Sequence, residues 1–508
     1  MRPGSVPNEQ TNYARHDVAG QADIKVAFIL FITDNVCCMT SAMTHAQPAL
    51  DFIPPRYSPW FRRMMRPLMP AWTAWQTDIV EVEARNVETL AQLYEAFNLG
   101  KTRLLLAFRH PNSVDPYVLS HLLWRDLPQA AREQQLNIGT AHSHFLYDRG
   151  IPLWAGSYLG GVFSRLGGIP IQRGKLDLLA LKTARRLFCD GELPLAAAPE
   201  GGNNGHNEIV SPLEPGIAQL AFWCAEDMAD QGRDESVVVL PIGIQYRYVT
   251  PPWKQLAKLM SQLETDCGIG YPSAEALQVL RRQFEKSQSV QSGVGAEHID
   301  LYSRLYRLAE HLLTLMEGYY ANFYRVSFEE PDGALGLNSQ LAERLSALMD
   351  KSLRVAESYF GLRAKGSVID RCRKLEQAGW DRIYREDTPI LSAVELGLAN
   401  RVAEEADLRM WHMRLMESFV AVTGRYVKEC PSVDRFAETL LLLRDMVAKL
   451  KGDSPSRPQL GLQKAIVTVG RPIDAGVRLG DYKQKRRGAI AQLTADLQAE
   501  MVSLILTD

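Results

Sequence analysis

The spacing of apolar positions changes several times along the chain. Residues 102–108 form a Leu-rich apolar run bounded by Gly100 and the Pro111-Asn112 turn signal, which predicts a buried strand. Asp115-Pro116 is the N-cap and first-turn signature of a helix reaching about Leu123. Residues 178–188 have helical spacing and close at Gly191, while 193–198 and 236–244 read as further strands. Strands alternating with helices predict an α/β fold with a central, mostly mixed sheet flanked by helices.

After about residue 250 the period becomes helical for a long stretch. Leu301, Leu305, Leu308, Leu312, Leu315, Tyr319 and Phe323 recur at helical spacing, as do Leu341, Leu345 and Leu348, then Leu408, Trp411, Leu415 and Phe419. These stripes predict helices burying a core of their own. No repeat period argues for a solenoid. Residues 464–469 return to a strand pattern, and a final helix is expected to about Leu504.

At roughly 150 residues per domain, 508 residues suggest two to four domains. The charge is balanced, 57 basic against 59 acidic residues, so no global field points to nucleic acid. The seven cysteines show neither a zinc spacing nor a paired framework, which fits a reducing cytoplasm. The apolar run at 26–32 is too short to cross a bilayer and has no cleavage pattern. Residues 60–70, with Trp72 and Trp75, mix aromatics, methionines and arginines as an interfacial anchor would, or as a leading segment packed on the next domain. Pro67 and Pro70 are expected to break a regular helix there.

Candidate chemistry centres on His110 and Asp115. An imidazole with an ordinary pKa of about 6.5 is a natural general base, and a carboxylate on its far nitrogen fixes the tautomer and stabilises the imidazolium. A capping aspartate near an unrelated histidine would give the same spelling. The segment Pro199-Glu200-Gly201-Gly202-Asn203-Asn204-Gly205 is a loop whose glycines let backbone N–H groups approach an anion. His142 and His144, read as alternate residues of a strand with Asp148 nearby, are a candidate metal pair or ordinary polar groups near an acceptor entrance. The chain has no Gly-x-Ser-x-Gly elbow, no complete P-loop and no dinucleotide fingerprint.

In order, His-x-x-x-x-Asp at 110–115, Gly-x-x-x-x-Arg ending at Arg173, Pro-Glu-Gly at 199–201 and the apolar-Pro-apolar-Gly segment at 240–243 resemble the four motif blocks of the glycerolipid acyltransferases, which include the lysophosphatidate and glycerol-3-phosphate enzymes. The resemblance implies that His110 is the base, Asp115 its partner and Arg173 the acceptor-phosphate ligand. It implies further that Glu200 and Gly201 shape the acceptor pocket and that Pro241 lies nearer the acyl chain. Two departures stand out. Gly202 and Asn203 occupy the positions usually held by Thr-Arg, and Pro170-Ile171-Gln172-Arg173 replaces Phe-Ile-Asp-Arg. Asparagine offers only neutral donors where a guanidinium would bind bidentately, so phosphate binding is expected to be weaker or shared with Lys175.

The resemblance spans about 78–248 and resumes near Lys464, where Gly470-Arg471-Pro472-Ile473 is similar to a closing Gly-Glu-Pro-Ile. It implies a leader with a membrane-surface segment at 1–77, an acyltransferase core at 78–250, a helical insertion at 251–463 and a closing strand and helix at 464–508. The expected activity is acyl transfer from acyl-CoA or acyl-acyl carrier protein, as co-substrate, to a lysolipid acceptor, most simply 1-acyl-sn-glycerol-3-phosphate. No metal, cofactor or nucleic acid is expected, and the expected location is the cytoplasmic membrane surface. A non-catalytic lipid or acyl-carrier binding protein on the same fold is the alternative, with a metal-dependent hydrolase a third class. Arg363, Lys365, Arg371, Arg373 and Lys374 form a basic run where an acidic acyl carrier protein could dock, or a solvated helix face.

Overall fold

The computed structural model describes residues 44–172, 177–287, 298–330, 336–419, 426–453 and 457–506. The apolar run at 26–32 and Cys37-Cys38 lie outside them. Ten strands are present among the described residues: β1 (Gln47–Pro48), β2 (Ile79–Arg85), β3 (Thr102–Phe108), β4 (His144–Asp148), β5 (Gly168–Ile171), β6 (Leu195–Ala197), β7 (Ser236–Tyr248), β8 (Tyr384–Arg385), β9 (Gln463–Val469) and β10 (Ile473–Asp474). Eight of these form one mixed sheet in the order β2-β9-β7-β3-β6-β4-β5, with β10 paired to β7, while β1 and β8 pair separately.

Within the sheet β7, β3, β6, β4 and β5 run parallel, whereas β9 is antiparallel to β7. The alternation of β3 shows how both faces are covered. Leu104 and Leu106 enter a core beneath the helices Val87–Asn98 and Leu127–Glu133, while Leu105 and Ala107 enter a second core beneath Leu178–Asp190, Gly216–Asp230 and Arg486–Ser503. A strand buried on both faces reads as continuously apolar, which is the pattern seen in the sequence. Pro241 sits inside β7 where an amide hydrogen would be missed. There the flanking strand changes: β10 pairs with Val238 and Val239, β9 with Ile242 to Tyr248, and Gly470 between them donates to the Pro241 carbonyl at 2.9 Å. Pro241 is thus a sheet residue whose missing donor falls at a break in the ladder.

The helix after Asp115 extends beyond Leu123. It runs from Asp115–His121 through one widened turn, Leu122–Asp126, into Leu127–Glu133. Pro128 explains the widening, because it cannot donate to the fourth carbonyl before it and its ring crowds that turn. The helix Pro59–Gln76 departs from expectation in the opposite way, since Pro67 and Pro70 lie inside it without ending it. The carbonyls those prolines leave without an amide belong to Arg63 and Arg66, both exposed positions. Ser58 caps the first turn at 3.3 Å, Met65 and Met69 pack on the sheet core, and Trp72 Nε1 donates to the Tyr117 hydroxyl at 3.0 Å. Tertiary packing therefore outweighs two local penalties.

The helical region between β7 and β9 has a separate core of Leu256, Leu308, Leu312, Leu348, Met410, Leu415, Phe436 and their neighbours. Three stripe positions differ from expectation, because Leu315, Phe323 and Leu408 face solvent. Those helices are longer than the faces they bury. Tyr248 at the end of β7 pairs with Gln463 at the start of β9, and Val249 N–H donates to the Leu462 carbonyl at 2.9 Å. The region therefore leaves and re-enters the sheet at one point. That point is the edge where β3, β6, β4 and β5 also end.

Candidate active site

His110 lies two residues past β3, and the intervening Arg109 continues the strand's pairing through its N–H to the Ile242 carbonyl at 2.9 Å. Asp115 begins the next helix and is fully buried. The turn between them brings His110 Nδ1 to 2.7 Å from Asp115 Oδ2, and the Asn112 N–H donates to the same oxygen at 3.0 Å. The other carboxylate oxygen accepts from the Tyr246 hydroxyl. A carboxylate so satisfied can be buried without a penalty for missing partners. With Nδ1 engaged, Nε2 has no hydrogen bond among the described residues, and the His110 side chain keeps 25% exposure. This is the arrangement of a general base whose far nitrogen is held by an acid.

The loop after β6 supports that turn. Glu200 is buried, with Oε1 accepting the His110 N–H at 3.0 Å and Oε2 accepting Asn204 Nδ2 at 2.8 Å and the Ser211 N–H at 2.9 Å. Both oxygens of its carboxylate are engaged by protein donors. Gly201 adopts φ +70°, and a Cβ there would stand 2.1 Å from Glu214 Oε1. Gly202 is half-buried beside it, while Asn203 is exposed and its Oδ1 accepts the Gly205 N–H at 2.8 Å. Asn204 N–H reaches the His110 carbonyl at 3.3 Å. Arg173 and Lys175 lie outside the described residues.

Several supporting residues carry no motif signal. Arg109 is fully buried, donating to the carbonyls of His206 at 3.1 Å and Ile209 at 2.6 Å and lying 3.5 Å from Glu200. Tyr246 lies beyond the strand read at 236–244, which the structure extends to Tyr248, and nothing in the sequence ties it to Asp115. Glu438 comes from the helical region and was not separable from other helix carboxylates. It accepts from Asn207, which in turn exchanges two hydrogen bonds with the Tyr246 backbone, at 2.8 and 3.0 Å. A cavity of about 40 Å³ lies here, lined by Pro111, Asn112, Gly205, Tyr246, Glu438 and Arg457 among others.

The helical region also touches the loops that follow β4 and β6. Arg373 Nη2 donates to the Gly201 carbonyl at 2.9 Å, and Trp380 packs where Gly150 has no side chain. Two members of the basic run are thereby engaged within the protein. Arg371 is buried against Glu357 and Asp350, and Arg373 pairs with Glu417 at 2.9 Å, leaving only Arg363, Lys365 and Lys374 exposed. Long side chains beside acidic partners fold inward to meet them.

His142 and His144 also differ from expectation. Only His144 is in β4, at its start, on the edge of the sheet opposite His110, while Asp148 lies at the other end of that strand. His142 Nε2 donates to the Leu166 carbonyl and His144 Nδ1 to the Gly167 carbonyl, both at 2.9 Å. Burial pushes the His142 imidazole down to about 4 and lowers that of His144. Both rings are neutral packing groups, and no set of three metal-ligating side chains converges among the described residues.

Residues 81–245, which hold His110, Asp115 and the loop after β6, match the family model described as Acyltransferase. No curated protein and no solved structure matches the chain.

Proposed function

We propose, from the match of residues 81–245 to the Acyltransferase family and from the motif order of the glycerolipid acyltransferases, that the chain moves a fatty acyl group from an acyl thioester to a hydroxyl of 1-acyl-sn-glycerol-3-phosphate. The observation that carries this reading is the 2.7 Å contact between His110 Nδ1 and Asp115. The acceptor O–H proton passes to His110 Nε2 as the oxygen bonds to the thioester carbonyl carbon. Collapse of the tetrahedral adduct breaks the C–S bond, and the leaving thiolate takes the proton back from the imidazolium. Asp115 stabilises the imidazolium in between. No covalent acyl-enzyme forms, and no cofactor is required beyond the co-substrate, acyl-CoA or acyl-acyl carrier protein.

Acceptor phosphate is assigned to Arg173 and Lys175, with Gly201, Gly202 and Asn203 shaping the floor of the pocket and Glu200 holding that floor in place. A membrane-surface location is supported by exposed apolar side chains near the edge that bears His110. Trp75 precedes β2, Leu153 follows β4, and Leu178 and Leu179 follow β5. No helix among the described residues is long and apolar enough to cross a membrane, and exposed apolar side chains on one edge suit contact with the interface. The test offers purified protein a panel of lysolipid acceptors with both donor types and reads products by mass. Acylation of lysophosphatidate is expected, and transfer to none of the acceptors would overturn the reading.

A further inference from the structure

Glu438 stands on the helix Val433–Lys451, far along the chain from the motif residues, yet two runs of hydrogen bonds, joined through the side chain of Tyr246, connect it to His110. Glu438 Oε1 accepts from the backbone N–H and Nδ2 of Asn207. Asn207 Nδ2 donates to the Tyr246 carbonyl at 3.0 Å, while Asn207 Oδ1 accepts the Tyr246 N–H at 2.8 Å. This reciprocal pair fixes the backbone of one residue near the end of β7. The Tyr246 hydroxyl then donates to Asp115 Oδ1, and Asp115 Oδ2 holds His110 Nδ1. A second branch returns through the Asn207 carbonyl, which accepts from Arg109, the neighbour of His110.

We propose that Glu438 is a positioning residue for His110, acting through Asn207 and Tyr246, so that the helical region is part of the catalytic unit. The inference rests on the reading of His110 as general base. Three features single Glu438 out. Its Oε2 accepts from the Tyr426 hydroxyl at 2.5 Å, so both oxygens are held and the carboxyl has one orientation. Tyr246 is fully buried and its hydroxyl is spent on Asp115, so any shift of its backbone moves the group that orients the base. The coupling is positional, because the Tyr246 ring is a stiff link between a backbone held by Asn207 and a hydroxyl held on Asp115.

Burial pushes the Glu438 carboxyl up to about 7. The groups around it are Asp434 and Arg435 on its own helix, Tyr426 before that helix, Glu208 beside Asn207, Arg247 and Tyr248 on β7, and Arg457 across the cavity. The two cations Arg247 and Arg435 are committed to Glu208. Glu438 is thus held by neutral donors rather than by an ion pair.

The test uses the full chain and follows palmitoyl transfer from palmitoyl-CoA to lysophosphatidate, together with the far-downfield Nδ1 proton resonance that a held His–Asp pair gives, assigned by its loss in Asp115→Asn. Glu438→Leu should lower kcat about tenfold with KM unchanged, and Tyr246→Phe, which removes only a hydroxyl, should do the same. Both should weaken or abolish the resonance. Glu438→Gln, which keeps an acceptor for Asn207, should restore kcat. Combining Glu438→Leu with Tyr246→Phe should cost little more than either alone, because both break the same connection. Full additivity, an unchanged resonance, or a Glu438→Leu variant as active as the parent would overturn the proposal. Retention of activity by His110→Ala would instead overturn the general-base reading.

Discussion

The backbone N–H of His110 donates to Glu200 Oε1 at 3.0 Å, joining the first motif segment to the third across 90 residues. Glu200 therefore holds the backbone of His110, and Arg109 beside it supplies the countercharge at 3.5 Å. Both partners are almost wholly buried, so neither can be served by water instead.

Glu200→Gln tests this directly. The amide would present N–H groups to donors, Asn204 Nδ2 and the Ser211 N–H, and would leave Arg109 without its carboxylate. A loss of about 2–3 kcal/mol is expected, seen as a lower melting temperature, along with reduced turnover. A melting curve unchanged from the parent would show that the buried pair contributes nothing.

Gly201→Ala acts on the backbone of the same loop. At φ +70° an L side chain costs about 1–2 kcal/mol, and the new Cβ must also displace the exposed end of Glu214. The carbonyl that Arg373 grips would shift with it. Stability should fall by about that amount and activity by more. Gly216→Ala, where φ is ordinary and nothing lies within 4 Å, should leave both nearly unchanged, and equal effects at the two positions would contradict the account.

Much of this arrangement was legible in the sequence, for physical reasons that differ by element. The strand at Thr102–Phe108 announced itself because both of its faces are covered, and the helix after it because an acid before proline is a local start signal, although Asp115 is the first helical residue rather than its cap and its carboxylate caps nothing. Tyr246, Asn207, Arg109 and Glu438 could not be found that way. Their roles come from contacts between segments up to 231 residues apart, which no spacing encodes. Local signals also misled. Pro67 and Pro70 failed to break a packed helix, and within the run from Arg363 to Lys374 the spacing gave no sign that Arg371 and Arg373 turn inward to Glu357, Asp350 and Glu417.

Burial holds the imidazoles of His142, His206 and His412 neutral, each pushed down to about 4. Because their folded values lie below the unfolded value of about 6.5, the unfolded chain binds more protons between those limits. Stability should be fully retained above about pH 6.5 and fall as the pH drops toward 4. The three residues together should take up about three protons on unfolding near pH 5. Imidazole resonances in the folded protein give the check, since a transition above pH 6 for any of these residues would contradict their burial.

The central claim is that one imidazole, oriented by Asp115, takes the acceptor's proton. Turnover of His110→Ala, measured beside acceptor binding on the same preparation, tests it most directly. Loss of a general base predicts a fall in kcat of about a hundredfold or more, with lysolipid binding and melting temperature close to those of the parent. Transfer by His110→Ala at the parental rate would contradict the account.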